Sequence, residues 1–182
     1  MFTEDNTFAN MVTQLTHKQT TTHTHDAQIT VVCDNITSPA NIGMIFRVCE
    51  AMGAEMLYIC GDSIVPNTKI QRASRSTANV IANKYVDSTE ACVRQLKQEG
   101  YRVIAIELTD CSTDLRNFTF DKGVKYALIA GSENWGISHE VLQLADISVM
   151  IPLFGHNSSM NVATALSICL FECVRQLAPG IE

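Results

Sequence analysis

Three polar clusters hold the side chains able to do chemistry, and each follows or interrupts an apolar run. The first runs from Asn35 through Thr37-Ser38-Pro39-Ala40-Asn41-Ile42-Gly43 to Arg47. Asn41 suits a helix N-cap, and Arg47 falls on a different side of that helix from Ile45 and Cys49. Asn35, Asn41 and Arg47 could all face one cleft at a strand end; the same residues also read as a capped helix with a surface arginine. The second cluster, Ala127 to Ser138, carries a buried strand into a turn with Gly131 and Gly136. Glycines let backbone approach a ligand closely, but the run is not GxGxxG, so the dinucleotide fingerprint is absent. Glu133 reads as a carboxylate favouring a helix N-terminus. Trp135 reads either as a partly buried anchor or as a surface on which a base stacks. In the third, Ile151-Pro152-Leu153-Phe154-Gly155-His156-Asn157-Ser158-Ser159-Met160-Asn161-Val162-Ala163, a strand stops at a proline and a loop crowded with hydrogen-bonding side chains enters a long helix. Lys69, Arg72 and Arg75 form a basic stretch without an acid, either a solvated loop or a contact for phosphates.

The elements that must position these clusters alternate along the chain. β-rich runs at Ile29–Cys33, Met56–Cys60, Tyr101–Ile106, Tyr126–Ala130 and Ile147–Ile151 read as strands. Helical spacing marks Asn41–Met52, ending at Gly53, then Ser88–Glu99, Ser138–Leu144 and Asn161–Leu177. Strand and helix at crossover length predict an α/β domain with a mainly parallel sheet flanked by helices. Such sheets bind ligands at the carboxyl ends of their strands. Residues 1–27 are rich in Thr, Gln and His and read as a mobile arm, with a short helix near Phe8 to Leu15, ahead of one domain over 28–182.

Composition bounds the reading. The 182 residues, 46% hydrophobic and 18% charged, suit one globular domain. No apolar run is long enough to span a bilayer, and no secretory pattern opens the chain, so a cytosolic location is expected. Cys33, Cys49, Cys60, Cys92, Cys111, Cys169 and Cys173 form no CxxC pair and mostly sit in apolar runs, as buried reduced thiols would. Cys169 and Cys173 lack further ligands, and no metal site is expected. The net charge of −6 counts against a nucleic-acid binder. A local basic patch can still act, because fields fade over about 8 Å at physiological salt.

Taken together and in order, the clusters resemble the SpoU/TrmH family of SPOUT RNA methyltransferases. That family shows N-x-G-x-x-x-R, G-x-E-x-x-G and I-P-M…S-L-N-V-S; here they read Asn41-Ile42-Gly43…Arg47, Gly131-Ser132-Glu133…Gly136 and Ile151-Pro152-Leu153…Ser159-Met160-Asn161-Val162-Ala163. The resemblance covers roughly Ile29 to Leu177. It implies a C-terminal deep trefoil knot, S-adenosylmethionine (SAM) as cofactor, and a homodimer through the knot region and the C-terminal helix. It further implies methyl transfer to a ribose 2′-hydroxyl of RNA, with tRNA favoured over rRNA.

The same resemblance implies a catalytic set of Arg47, Asn41, Glu133, Ser159 and Asn161, with Glu133 orienting Arg47. The cofactor would lie against Leu108, Ala130, Gly131, Ile151, Ser159 and Met160, and Lys69, Arg72 and Arg75 would contact RNA. An arginine is a poor base, so the favoured role for Arg47 is to hold a phosphate and stabilise the developing alkoxide. Ala163 departs from the family's serine, while Leu153 and Met160 exchange residues of similar volume. Two alternatives stand beside this reading: a SPOUT enzyme that methylates a base nitrogen, and a SAM- or RNA-binding homologue with weak catalysis.

Overall fold

Strand β1 (Ile29–Asp34) is buried along its whole length. Its side chains alternate between two cores, with Ile29, Val31 and Cys33 on one face and Val32 on the other. A strand buried on both faces needs helices on both sides, and the computed structural model, which describes residues 13–16, 19–62, 68–75, 77–178 and 180, supplies them. β2 (Met56–Cys60), β3 (Asn83–Val86), β4 (Tyr101–Ile106), β5 (Thr113–Asp114), β6 (Lys125–Ala130) and β7 (Ile147–Met150) join β1 in one sheet. The strand order is β3-β2-β1-β6-β4-β7-β5, and every pairing is parallel. Helices α1 (Pro39–Ala51) and α5 (Val162–Leu177) cover one face, and α3 (Thr89–Gln98) and α4 (His139–Leu142) cover the other. The short helix α2 (Thr68–Ser74) lies against α1.

The α/β architecture expected from the alternation is present, with several local differences. β3 gives no apolar alternation because it is an edge strand whose Asn83 and Lys84 face solvent. β5 is only two residues long. The basic stretch is helical in α2, held by buried Ile70 and Ser74, with Lys69, Arg72 and Arg75 exposed. Ser38, not Asn41, caps α1: its hydroxyl accepts the Asn41 N–H at 3.4 Å, with Pro39 in the first turn. Residues 25–28, at the end of the expected arm, are tied to the domain. His25 donates to the Met52 carbonyl at 2.8 Å, Ala27 packs on the core, and the Gln28 carbonyl accepts from Tyr126. The helix expected near Phe8 to Leu15 lies largely outside the described residues, and residues 13–16 are not helical. Of the seven cysteines, six are buried and only Cys111 is exposed, all as free thiols.

Gly43 explains its own place in the first motif. A Cβ added there would stand 2.3 Å from the Ala73 Cβ and 2.9 Å from the Ala73 carbonyl carbon. The glycine therefore sets how closely α2 approaches α1. Gly43→Ala should gain about 1 kcal/mol of helix propensity but lose about 1–3 kcal/mol to overpacking. We expect a net loss of stability in urea unfolding, and a midpoint equal to or above that of the wild type would show that the two helices part at no cost.

Candidate active site

The carboxyl ends of β1, β6, β4 and β7 lie side by side, so the loops that leave them meet. Their meeting point is a cleft of about 900 Å³. Its walls come from Ile106–Leu108 after β4, from the Gly131–Gly136 turn after β6, and from the segment Met150–Val162 after β7.

One run of side chains ties the three motifs together. Asn161 is the N-cap of α5, and its Oδ1 accepts the N–H groups of Ala163 at 3.0 Å and Thr164 at 3.2 Å. With that oxygen engaged, Nδ2 donates to Asn41 Oδ1 at 3.0 Å. Asn41 in turn donates from its own Nδ2 to Glu133 Oε1 at 2.9 Å. The two backbone donors fix which way both amides face. The Glu133 carboxylate also accepts the backbone N–H groups of Ser38 at 3.0 Å and Thr37 at 3.2 Å. It thus sits at the N-terminus of α1, where unpaired N–H groups and the helix dipole favour an anion. The helix it serves lies 96 residues upstream, not the one that follows it. Partial burial works to raise the Glu133 pKa, but the bonds from Asn41 and from the backbone outweigh it and hold the carboxyl below its ordinary value.

The turn that presents Glu133 is a tight hairpin. Ser132 and Gly136 exchange two backbone hydrogen bonds of 2.9 Å each. A Cβ on Gly131 would fall 2.3 Å from the Gly136 carbonyl carbon, and Gly136 holds φ +67 against the Glu107 carboxylate. Glu107 accepts the N–H groups of Leu108 at 3.0 Å and Ile137 at 3.1 Å, which joins the β4 loop to the hairpin. Asp34, 1% exposed at the end of β1, anchors the hairpin's exit. It accepts from the Ser138 backbone and hydroxyl, both at 2.8 Å, and from Thr89 at 2.6 Å.

Most residues expected at the site converge here. Leu108, Gly131, Glu133, Ile151, Ser159, Met160 and Asn161 line the cleft. Ala130 does not: its methyl belongs to the core beneath α1 and α5. Arg47 lies outside the lining, exposed on the outward face of α1 with Ala40, Met44 and Ala51. Glu133 is held by Asn41, Thr37 and Ser38, and no hydrogen bond or ion pair joins it to Arg47 among the described residues. The Asn35 side chain is engaged away from the cleft, with Asp34 at 2.9 Å and the Asp62 N–H at 3.0 Å. Asp34 and Glu107 escaped the sequence reading. Both stand at carboxyl ends of recognised strands, and that position was the available signal.

A family profile described as the SpoU rRNA Methylase family matches residues 28–171. The chain belongs to this family. The family's members include similar enzymes of both tRNA and rRNA. The tRNA (guanosine(18)-2′-O)-methyltransferase of Thermus thermophilus is 33% identical over 148 residues, 81% of this chain and 75% of that protein. The 23S rRNA (guanosine-2′-O-)-methyltransferase RlmB of Ralstonia nicotianae is 32% identical over 147 residues, 80% of this chain and 58% of that one. Among solved structures, the AdoMet-bound rRNA methyltransferase of Sinorhizobium meliloti superposes with TM-score 0.78 at 28% identity. That superposition covers 86% of this chain and 59% of the other, so this chain spans about three fifths of the Sinorhizobium protein.

The Glu133 geometry fixes a sign. Folding favours its ionised form, so its contribution is fully present above the free carboxyl's 4.5 and is lost as pH falls through the lower folded value. In an NMR titration, the Thr37 and Ser38 amides and the Asn41 side-chain amide should shift together with one midpoint below 4.5. A midpoint above that value would contradict the geometry, and Glu133→Gln should abolish the transition.

Proposed function

We propose that this chain transfers a methyl group from SAM to a ribose 2′-hydroxyl of RNA, with tRNA favoured over rRNA. The observation that carries the reading is a cleft lined by the second and third motifs, to which the first is tied through Asn41 by its bonds to Asn161 and Glu133. Relatives of this family that act on guanosine 2′-oxygens support the substrate class.

The residues present fit SAM. Ile106, Leu108, Ile151 and Val162 offer apolar walls for an adenine, with polar loop atoms between them. Glu107 and Glu133 bring negative charge, and no Lys, Arg or His lines the cleft among the described residues. That balance suits a sulfonium cation and disfavours a cofactor carrying phosphates. Bound there, SAM supplies an electrophilic methyl group on a good leaving group. The chain's own work is then to hold and aim the hydroxyl, and positioning supplies much of the rate.

Arg47 acts from the outward face of α1. Its guanidinium makes no ion pair among the described residues. It holds an RNA phosphate and stabilises the charge that grows on the 2′-oxygen. Glu133 positions the start of α1, and so the helix on which Arg47 rides, through Asn41 and two backbone amides. Ser159 and Asn161 set the edge of the cleft facing the ribose or the amino-acid end of the cofactor. Lys69, Arg72 and Arg75, exposed on and just beyond α2 beside α1, take further phosphates. Their local field offsets the overall acidity. Ala163, where the family has serine, is buried in the core and does not line the cleft, so its missing hydroxyl removes nothing from the lining.

The reading includes the family's trefoil knot, which the insertion of the late strand β7 between β4 and β5 supports. It also includes a homodimer. Ile168 and Phe171 on α5 are 38% and 55% exposed, and Met44 on α1 is 43% exposed, an apolar outer surface of the kind a second copy covers. Among the described residues, no helix is long and apolar enough to cross a membrane.

Arg47→Ala should cut methyl transfer from labelled SAM to RNA by roughly 10²–10³-fold, with SAM binding intact and stability within about 0.5 kcal/mol. Full activity in that variant would remove Arg47 from the mechanism. Mapping methyl groups in total RNA from cells with and without the chain should reveal missing ribose 2′-O-methyl sites; methyl groups missing only from base nitrogens would overturn the reading.

A further inference from the structure

Trp135 is the only tryptophan of the chain, and 89% of it is exposed. Tryptophan carries a large apolar ring with one polar N–H and is enriched where proteins meet their partners. Its backbone is nonetheless among the best-held stretches of the site. Glu133, two residues before it, is clamped to the start of α1. Ser132 and Gly136 on either side close the hairpin, and the Glu107 carboxylate holds Ile137 just beyond. Glu133, Asn134 and Gly136 all line the cleft, so Trp135 stands outside the lining at the cleft's mouth. A rigid mount under an uncovered indole is what a stacking surface requires, since little freedom is lost when a ring docks on it.

The proposed reaction defines what would dock. A ribose that enters a cleft must leave its helical stack, and its base loses its neighbours. The base stays tethered to the ribose and remains at the mouth. Unstacked bases recover that loss on aromatic side chains. We propose that Trp135 is the surface on which the base of the methylated nucleotide stacks. The proposal rests on the reading of function given above and adds a residue that selects for an unpaired target. The acidic lining, with Glu107 and Glu133 and no basic residue among the described ones, fits a ribose and its base entering while the phosphates stay outside near Arg47 and α2.

The single tryptophan makes its emission a report from this one position. We expect acrylamide to quench Trp135 readily in the free protein. Total tRNA from cells lacking the chain, added with S-adenosylhomocysteine, should quench the emission and shield it from acrylamide. Trp135→Leu should raise the KM for RNA roughly 5- to 150-fold, as the loss of one stacked base implies, and leave SAM affinity measured by calorimetry unchanged. Trp135→Phe should recover most of the loss. An indole already shielded from acrylamide without RNA would mean that a second copy or another segment covers it, which overturns the proposal. So would unchanged emission on saturation with tRNA, or a wild-type KM in Trp135→Leu while the wild type methylates RNA. A wild type that transfers no methyl group to RNA would instead overturn the reading of function, and this proposal with it.

Discussion

Two asparagine amides and one carboxylate hold three distant loops in register. Asn161, Asn41 and Glu133 are separated by 120 and 92 residues along the chain, yet each takes the one partner its neighbour leaves free. The direction of the run follows from its ends. At one end, two backbone donors at the start of α5 claim the Asn161 oxygen. At the other, the carboxylate can only accept. Both amides are thereby fixed, and a single substitution within the run leaves a part-buried polar group without its partner. The family motifs thus contain residues that lock the loops together.

The locked frame separates two electrostatic regions. Inside the cleft the titratable lining is acidic. Outside it, Arg47 and the basic residues on and beyond α2 face solvent. A sulfonium cofactor and a polyanionic substrate make opposite demands on charge, and the division meets both without a net positive chain. At −6 the overall field is unfavourable to a polyanion, but screening limits its reach, so a local basic surface can act on its own. The close approach of α2 to α1 at Gly43 sets that basic surface against the helix that carries Arg47.

Arg47 itself is left unclaimed. The carboxylate expected to orient it is occupied by the start of its own helix. Among the described residues, the placement of α1 and not an ion pair sets where the guanidinium stands. An arginine with no ion pair among the described residues keeps free the two of its five N–H donors that a bidentate carboxylate would occupy.

By itself the sequence determined the α/β class, the five principal strands, the long helices and the two clusters that line the cleft. These follow from local rules: period-two and helical apolar spacing, and glycines where backbone must fold back. The family resemblance grouped Glu133 and Asn161, and both line the cleft because loops after parallel strands converge. Only the tertiary structure decided which partner each side chain takes. Glu133 binds the start of α1, 96 residues upstream, because that is where unpaired N–H groups end up when β1 and β6 lie adjacent. No spacing rule encodes that neighbour. The edge strand β3 and the helix α2 were likewise illegible, since each draws its order from contacts with distant elements and carries too few apolar residues to announce itself. Gly43 looked like a motif letter until Ala73 stood 2.3 Å from where its Cβ would be. Local periodicity is a property of the chain, whereas a hydrogen-bond partner across 100 or so residues belongs to the fold that sheet order creates.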